Sequence, residues 1–375
     1  MKEKRILFVA NVAKEHINKF HIPTIKCFKE HGWRVDVACS GEEKVPECNH
    51  HYRMCWKRSP FTVKTIRGIL DLKKIVEREK YDIVYCHTPV GGLVARLSCI
   101  GARKRGTKVV YCAHGLHFFK GAPVINWLIY YPIEKFLSYF TDVFFTVNEE
   151  DYKCVRKRFN KRMIVKYVPE VGVDFSRLEI ENSADVRKEY RSNLKIESDE
   201  TGLIYVAELI ENKNQTMLID MQKQLIELGE KTKLILVGPD HADGLFQKYA
   251  KEQGVGETVL FLGWRSDIGE LMHAADICVA SSIREGFGIN LVEAMYCGLP
   301  VIATNNRGHV TVIKDNQNGF LVNTNDSKKM VKRVRQLIHD KETYKRMANQ
   351  DASKYDCNII ATELYDALIK NAMKG

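Results

Sequence analysis

The feature that most constrains the fold is an alternation of short β-branched runs with amphipathic helical patterns, which occurs once in each half of the chain. Strands are predicted at residues 5–12, 34–39, 82–87, 108–113 and 142–147, and again at 203–206, 234–237, 259–262, 277–280, 301–303 and 320–322. Apolar residues at helical spacing across 66–76 predict a helix that covers a sheet. This rhythm is typical of doubly wound parallel sheets.

The length of 375 residues favours two domains. A polar stretch across 185–200 separates the two halves, so the boundary is placed near residue 175, giving domains at 1–175 and 176–375. A last helix is predicted at about residues 358–372, and whether it packs back on the first domain is left open. The predicted class is α/β, with ligands expected at the carboxyl ends of the strands.

Composition indicates a folded, non-membrane-spanning chain, with 45% hydrophobic and 28% charged residues and no long uncharged apolar run. The N-terminus enters a strand-like run at residues 6–9 without a signal-peptide pattern. Eleven cysteines are scattered without paired spacing, which favours free thiols in a reducing compartment. We therefore expect a cytoplasmic protein.

The charge is placed asymmetrically. Residues 1–175 contain 32 Lys and Arg against 18 Asp and Glu, a net +14, whereas residues 176–375 contain 26 against 29, a net −3. Such a basic half favours an anionic partner, which could be an acidic membrane surface, a polyphosphate carrier or nucleic acid, or it is only a solvated surface. The aromatic-rich segment 120–142 is too interrupted to span a bilayer and fits either a membrane interface or ordinary core packing.

One short segment offers metal-ligand residue types. Cys48, His50, His51 and Cys55 lie within eight positions. Zinc is one interpretation, but the C-x2-C pairing of structural zinc sites is missing, so a polar surface loop is favoured.

The most informative segment covers residues 280–303 and reads as strand, glycine loop, helix and strand. Gly286 and Gly288 allow backbone N–H groups to approach a ligand, and the helix that begins near Ile289 directs its positive end to the same place. This arrangement suits a diphosphate. Glu293, about one turn into the helix, could accept hydrogen bonds from vicinal hydroxyls such as those of a ribose, and Glu285 lies at the mouth of the loop.

This segment resembles the family 4 (group 1) glycosyltransferases of the GT-B fold, whose E-x7-E signature Glu285 and Glu293 match. Residues 261–268, 275–276, 307–308 and 318–322 are also similar to that family. Residues 86–92 and 113–115 resemble members that build bacterial capsules and exopolysaccharides. The resemblance implies two facing Rossmann-like domains with a cleft between them and a nucleotide-sugar donor bound by the second domain.

When the sequence is matched to the family position by position, the resemblance implies roles for individual residues. Glu293 would hold the donor ribose. Glu285 would contact the transferred sugar, and Lys213 would neutralise the phosphates. The donor-binding set comprises Lys213, Gly263, Trp264, Glu285, Gly286, Phe287, Gly288, Ile289, Asn290 and Glu293. Trp264 would lie near a base, with a weak preference for uracil. His114, at a strand end, matches the family histidine that reaches the donor sugar, so His114 and Glu285 are the candidate catalytic residues; from the sequence alone His16, His87 and His117 are rivals.

Two departures from the family pattern stand out. Glu208 occupies the place of a phosphate-binding arginine, for which Arg284 or Arg307 could compensate. The glycine pair after the first strand is replaced by residues 11–16. No Asp-x-Asp triplet is present, so no metal is expected on the donor diphosphate, and the helix N-terminus and Lys213 would supply the positive charge instead.

The predicted function is retaining, metal-independent transfer of a hexose or N-acetylhexosamine from a UDP-sugar to a lipid-linked polyprenyl-diphosphate glycan, for capsule or exopolysaccharide. The expected location is peripheral, with the basic domain on the inner membrane surface. A sugar-nucleotide epimerase of the same fold would need no acceptor, and a nucleic-acid-binding protein would show salt-sensitive DNA binding. A donor-binding subunit without turnover is a further alternative. No nucleic acid is expected, because no groove-reading helix or RNA-binding signature accompanies the charge.

Overall fold

The computed structural model describes residues 3–57, 62–168 and 171–373. Contacts between residues divide the chain into two units, of which unit 1 contains residues 1–172 and 357–375 and unit 2 contains residues 173–356. The division falls close to the predicted boundary at residue 175. All eleven cysteines lie within the described ranges and are free thiols.

Unit 1 is built on one parallel sheet with the order β3-β2-β1-β4-β5-β6-β7 in the described residues. Its strands are β1 (Arg5–Val12), β2 (Arg34–Ser40), β3 (His50–Arg53), β4 (Ile83–His87), β5 (Lys108–Ala113), β6 (Val143–Thr146) and β7 (Ile164–Tyr167). Its helices are α1 (Ile22–Glu30), α2 (Val63–Glu79), α3 (Pro89–Ser98), α4 (Ile100–Arg103), α5 (Val124–Leu137), α6 (Glu149–Arg158) and, at the C-terminal end, α15 (Cys357–Leu368). All strands run parallel, and the strand order changes direction between β1 and β4, which is the point where such folds bind ligands.

Two strands differ from the sequence prediction. The segment with His50 and His51, interpreted as a surface loop, forms β3, and β7 was not predicted at all. Both strands lie at the edges of the sheet and are only partly buried, so neither carries the continuous apolar run of a central strand. The structure does not gather Cys48, His50, His51 and Cys55 into a metal-binding group among the described residues.

The C-terminal helix α15 packs in unit 1 against α1. The ring of Tyr365 lies 4.8 Å from that of Phe28 and stacks on His31 at 4.1 Å. Ile360, Leu364 and Leu368 of α15 belong to the hydrophobic cluster on that face of the sheet.

Unit 2 repeats the architecture with a six-stranded parallel sheet of order β10-β9-β8-β11-β12-β13 in the described residues. Its strands are β8 (Thr201–Val206), β9 (Thr232–Val237), β10 (Val259–Phe261), β11 (Ile277–Ala280), β12 (Val301–Thr304) and β13 (Phe320–Val322). Its helices are α7 (Ser183–Asn193), α8 (Gln215–Glu227), α9 (Leu245–Glu252), α10 (Ile268–Ala274), α11 (Ile289–Tyr296), α12 (His309–Val312), α13 (Ser327–His339) and α14 (Lys341–Ala348). Here the strand order changes direction between β8 and β11.

Helix α5 lies in the aromatic segment 120–142 and has two different faces. Its inner face packs against a hydrophobic cluster of unit 1 through the partly buried rings of Trp127, Tyr130 and Tyr131. Its outer face exposes large apolar side chains, with Val124 at 74% and Leu128 at 68% exposure. Among the residues that the structure describes, no helix combines the length and apolarity needed to cross a bilayer.

Candidate active site

The candidate donor site of unit 2 lies where the strand order changes direction, because the loops that leave β8 and β11 meet there. The N–H of Ile283 donates to the carbonyl of Asn212 at 2.8 Å, and the side chain of Asn212 donates back to the carbonyl of Arg284 at 3.0 Å. The hydroxyl of Ser281 donates to the carbonyl of Lys213 at 2.7 Å. The two loops are therefore held as one rigid platform.

The platform brings Glu285 against Lys213. The Nζ of Lys213 lies 2.5 Å from Oε1 of Glu285, and the hydroxyl of Ser282 donates to the same oxygen at 2.6 Å. Burial alone would favour the neutral acid, but the ammonium of Lys213 and the Ser282 hydroxyl outweigh it and hold the pKa of Glu285 below its usual value. Glu285 is therefore a carboxylate at neutral pH.

A third loop, which follows β12, packs against Glu285. Asn306 donates to the carbonyl of Ser282 at 2.9 Å and accepts the N–H groups of Gly308 and His309, each at 3.0 Å. A Cβ at Gly308 would lie 2.7 Å from that of Glu285, so only glycine permits this approach. Burial lowers the pKa of His309.

Glu293 lies in α11 and is buried. Its carboxylate forms an ion pair with Arg177, which comes from the short turn Phe175–Leu178. The sequence prediction missed Arg177, because 116 positions separate it from Glu293 and no local motif marks it.

The start of α11 holds the predicted glycine loop. Gly288 has φ of 129°, a conformation that glycine adopts without strain, and it directly precedes the first helical residue, Ile289. Phe287 is buried with its ring 5.7 Å from that of Tyr355, while Gly286 and Asn290 remain partly accessible. The amides at this helix end are suited to an anionic group.

Gly263 and Trp264 follow β10, at the outer edge of the sheet, two strands away from β8. The carbonyl of Gly263 accepts from the N–H of Gly238 at 2.8 Å, which ties this loop to the end of β9. The side chain of Trp264 is 73% exposed and so presents a free aromatic face. Glu208, in the place of the family arginine, is exposed.

In unit 1, His114 belongs to a cluster of four histidines at the carboxyl ends of the central strands. His87 ends β4, His114 follows β5, His16 lies in the π-helical turn Ala13–Asn18 after β1, and His21 precedes α1. His87 and His21 are fully buried. Of the rivals considered for His114, two lie in this cluster, whereas His117 stacks on Tyr130 at 4.6 Å. His21 was missed because it precedes a helix, where a histidine carries no signal.

The sequence matches known family models in both units. Residues 186–354 match the model of the glycosyl transferases group 1, and residues 5–148 match a glycosyl transferase 4-like model.

Relatives cover most of the chain. "Putative glycosyltransferase EpsD" of Bacillus subtilis (strain 168) is 41% identical over 92% of this chain and 91% of its own length. The UDP-Gal:alpha-D-GlcNAc-diphosphoundecaprenol alpha-1,3-galactosyltransferase of Escherichia coli is 27% identical, over 74% of this chain and 72% of its own. Anabaena Alr3699/HepE in complex with UDP superposes with a TM-score of 0.81 at 20% identity, covering 98% of this chain and 100% of that chain. The protein is therefore a glycosyltransferase of family 4 (group 1) with the GT-B fold.

Proposed function

We propose that the protein transfers a hexose or N-acetylhexosamine from a UDP-sugar, with retention of configuration, to a polyprenyl-diphosphate-linked glycan of a surface polysaccharide. The observation that carries the proposal is the assembly of Lys213, Glu285 and Glu293 around the N-terminus of α11. This places a cation, two carboxylates and free amides at the one edge of unit 2 where parallel sheets bind nucleotides.

Each group has a distinct chemical task in this proposal. Glu293, oriented by Arg177, accepts hydrogen bonds from the ribose hydroxyls. The amides of Phe287, Gly288 and Ile289 receive the diphosphate at the helix end, and Lys213 neutralises its developing charge as the sugar departs. Glu285 contacts the transferred sugar, and Trp264 offers a face for the base. No metal is required at the diphosphate, because these groups supply the positive potential.

The choice of donor and acceptor rests on relatives. Two of them, from Escherichia coli and Campylobacter jejuni, are named for transfer to a sugar on diphosphoundecaprenol, and the Anabaena structure contains UDP. A capsular polysaccharide glycosyltransferase of Staphylococcus aureus, CapM, is 23% identical over 99% of both chains. These names favour a nucleotide sugar and a lipid-linked acceptor.

The surface of unit 1 fits a membrane-bound acceptor. The outer face of α5 carries Val124, Ile125, Leu128, Ile129 and Phe136, all exposed and at helical spacing. Exposed apolar groups also occur on α2, at Val63, Ile66 and Leu70. Because the same half of the chain carries the basic excess, we infer that these two helices lie in the interface of an anionic membrane on its cytoplasmic side.

The test is turnover with a panel of UDP-sugars and a synthetic polyprenyl-diphosphate glycan, with and without chelator, followed by mass spectrometry of the lipid product. Transfer of one sugar that persists with chelator supports the proposal. A product formed without acceptor would indicate the epimerase instead. Absence of UDP binding and of turnover, with DNA binding retained, would favour the nucleic-acid alternative.

A further inference from the structure

Four histidine side chains of unit 1 lie close together. One ring nitrogen from each of His16, His21, His87 and His114 lies within 4.8 Å of those of the other three. They come from separate chain segments, after β1, before α1, at the end of β4 and after β5. The fold brings them together at the point where the strand order changes direction.

The spacing of the rings is close to that of a coordination shell. The Nε2 atoms of His16 and His21 are 3.1 Å apart, and Nδ1 of His87 lies 3.1 Å from Nε2 of His114. Zinc–nitrogen bonds of about 2.0 to 2.1 Å place the nitrogens of a tetrahedral site roughly 3.3 to 3.4 Å apart. Two edges of such a tetrahedron are therefore nearly in place, and the ligand atoms of all four rings lie within 4.8 Å of one another.

Three of the four rings, those of His16, His21 and His87, also have the protonation state that a metal needs. Coordination uses neutral imidazole. Burial, reinforced by the neighbouring rings, lowers the pKa of His16 to about 3 and lowers those of His21 and His87. These side chains offer lone pairs at neutral pH.

Hydrogen bonding alone leaves the cluster incomplete. Each N–H···N contact satisfies one nitrogen of each of its two rings. Nδ1 of His21 and Nε2 of His87 are buried and have no hydrogen-bond partner in the described part of the chain. These two nitrogens are on the opposite side of their rings from Nε2 of His21 and Nδ1 of His87, so they are not the atoms that lie at coordination spacing.

We propose that unit 1 binds one Zn²⁺ ion, or a divalent transition-metal ion of similar preference, through the imidazoles of His16, His21, His87 and His114. A ligand set of imidazoles alone, without carboxylates, selects zinc, copper, nickel or cobalt over magnesium or calcium, and a tetrahedral arrangement favours zinc. The ion would fasten the turn Ala13–Asn18 and the start of α1 to the ends of β4 and β5.

The inference departs from the sequence-based expectation of a chain without a metal site. That expectation concerned a metal on the donor diphosphate, whereas this cluster belongs to unit 1 and uses no residue of unit 2. It does not rest on the proposed transfer reaction, and its test requires no substrate.

The experiment uses the full chain without a histidine tag. The protein is stripped with chelator, desalted and titrated with Zn²⁺ and, separately, Co²⁺, and bound metal is counted by elemental analysis. We expect one equivalent per chain, with the visible absorption of tetrahedral nitrogen-bound Co²⁺ and an increase of the melting temperature on binding.

Substitutions of single histidines test which side chains bind the metal. His16→Gln and His114→Gln change the two less buried rings, so the fold is expected to survive, and each should weaken Zn²⁺ binding about tenfold or more. His117→Gln is the matched control, because this histidine lies outside the cluster and stacks on Tyr130. A control variant that folds and binds one equivalent supports the assignment.

Three outcomes would overturn the proposal. The stripped protein could bind no Zn²⁺ at micromolar concentration. The His16→Gln and His114→Gln variants could bind it as the unaltered chain does. Loss of binding only in a His50→Gln/His51→Gln variant would move the metal to the edge strand β3 and leave the cluster as a hydrogen-bonded group of neutral rings.

Discussion

The ammonium of Lys213 lies 2.5 Å from a carboxylate oxygen of Glu285, although 72 positions separate the two residues. Lys213 lies in the loop after the first strand of unit 2, β8, and Glu285 follows the fourth strand of that sheet along the chain, β11. Because β8 and β11 are adjacent in the sheet, these distant residues form one charged pair at its carboxyl edge.

Lys213→Gln should destabilise unit 2 in a pH-dependent way. The lowered pKa of Glu285 means that its carboxylate stabilises the fold above the ordinary carboxyl pKa, and that this contribution is lost as the pH falls through the folded value. Without Lys213 the burial of Glu285 is uncompensated, so we expect a loss of about 1 to 3 kcal/mol at pH 7. The deficit should shrink as the pH falls towards 4 and Glu285 becomes protonated. Urea unfolding at several pH values measures both effects.

The double variant Lys213→Gln/Glu285→Gln tests the cause. It should recover part of the stability, because neither charge is then left buried alone. Lys231→Gln, which alters an exposed ion pair with Asp199, is the control and should change nothing. A deficit independent of pH would contradict the explanation.

Glu293→Gln should weaken UDP binding while the fold persists. The amide has the shape of the carboxylate but lacks its charge, and hydrogen bonds to a charged group contribute about 1.5 to 3 kcal/mol, which corresponds to a roughly 10- to 150-fold change in Kd. Calorimetric titration with UDP measures it. Glu179→Gln, an exposed carboxylate that accepts from Tyr296 at 3.0 Å, is the control. Equal UDP affinity in both variants would leave Glu293 a structural partner of Arg177 only.

Gly308→Ala should displace Glu285. The added methyl would lie 2.7 Å from the Cβ of Glu285 and 2.8 Å from its carbonyl oxygen, so the loop after β11 must move. We expect a lower melting temperature and a fall in turnover of roughly tenfold or more, the sensitivity of catalysis to misplacement of about 1 Å. Gly101→Ala meets no atom closer than 3.5 Å and serves as the control. Unchanged turnover of Gly308→Ala would show that the position of Glu285 is not critical.

Ile125→Ser/Leu128→Ser should reduce membrane binding without affecting the donor site. Burying a Leu or Ile side chain contributes about 1.5 to 3 kcal/mol, so removal of two should lower partition onto anionic vesicles about tenfold or more. Flotation with phosphatidylglycerol vesicles at low and high salt measures it. The UDP-induced shift in melting temperature should stay unchanged, and Ile226→Ser of unit 2 is the surface control. Undiminished flotation of the double variant would show that α5 does not bind the membrane interface.

Glu134→Ala should destabilise unit 1 strongly. Glu134 binds the fully buried Arg96 through two hydrogen bonds of 2.8 and 3.1 Å, and the guanidinium lies 3.9 Å from the ring centre of Tyr111. Removing one partner of a buried pair costs about 3 to 5 kcal/mol. Urea unfolding should show this loss, whereas Lys135→Ala at the exposed neighbouring position should stay within about 0.5 kcal/mol. Equal stability of the two variants would mean that Arg96 finds other partners.

The local elements of this fold could be predicted from the sequence. The central strands carry continuous apolar runs, since both of their faces are buried, and their bounds agree with the structure to within a few residues. The edge strands β3 and β7 were missed because partial burial weakens that signal. The glycine loop and the helix of residues 286–296 were readable because they form one continuous segment.

The sequence by itself determined the two-sheet architecture, the family and the positions of Glu285 and Glu293, because each depends on neighbours a few residues away. Only the tertiary structure decided that Lys213 meets Glu285, that Arg177 meets Glu293 and that four histidines share one centre. Such encounters arise because parallel strands bring distant loops to the same edge of a sheet, and no local pattern records which side chains will face each other there.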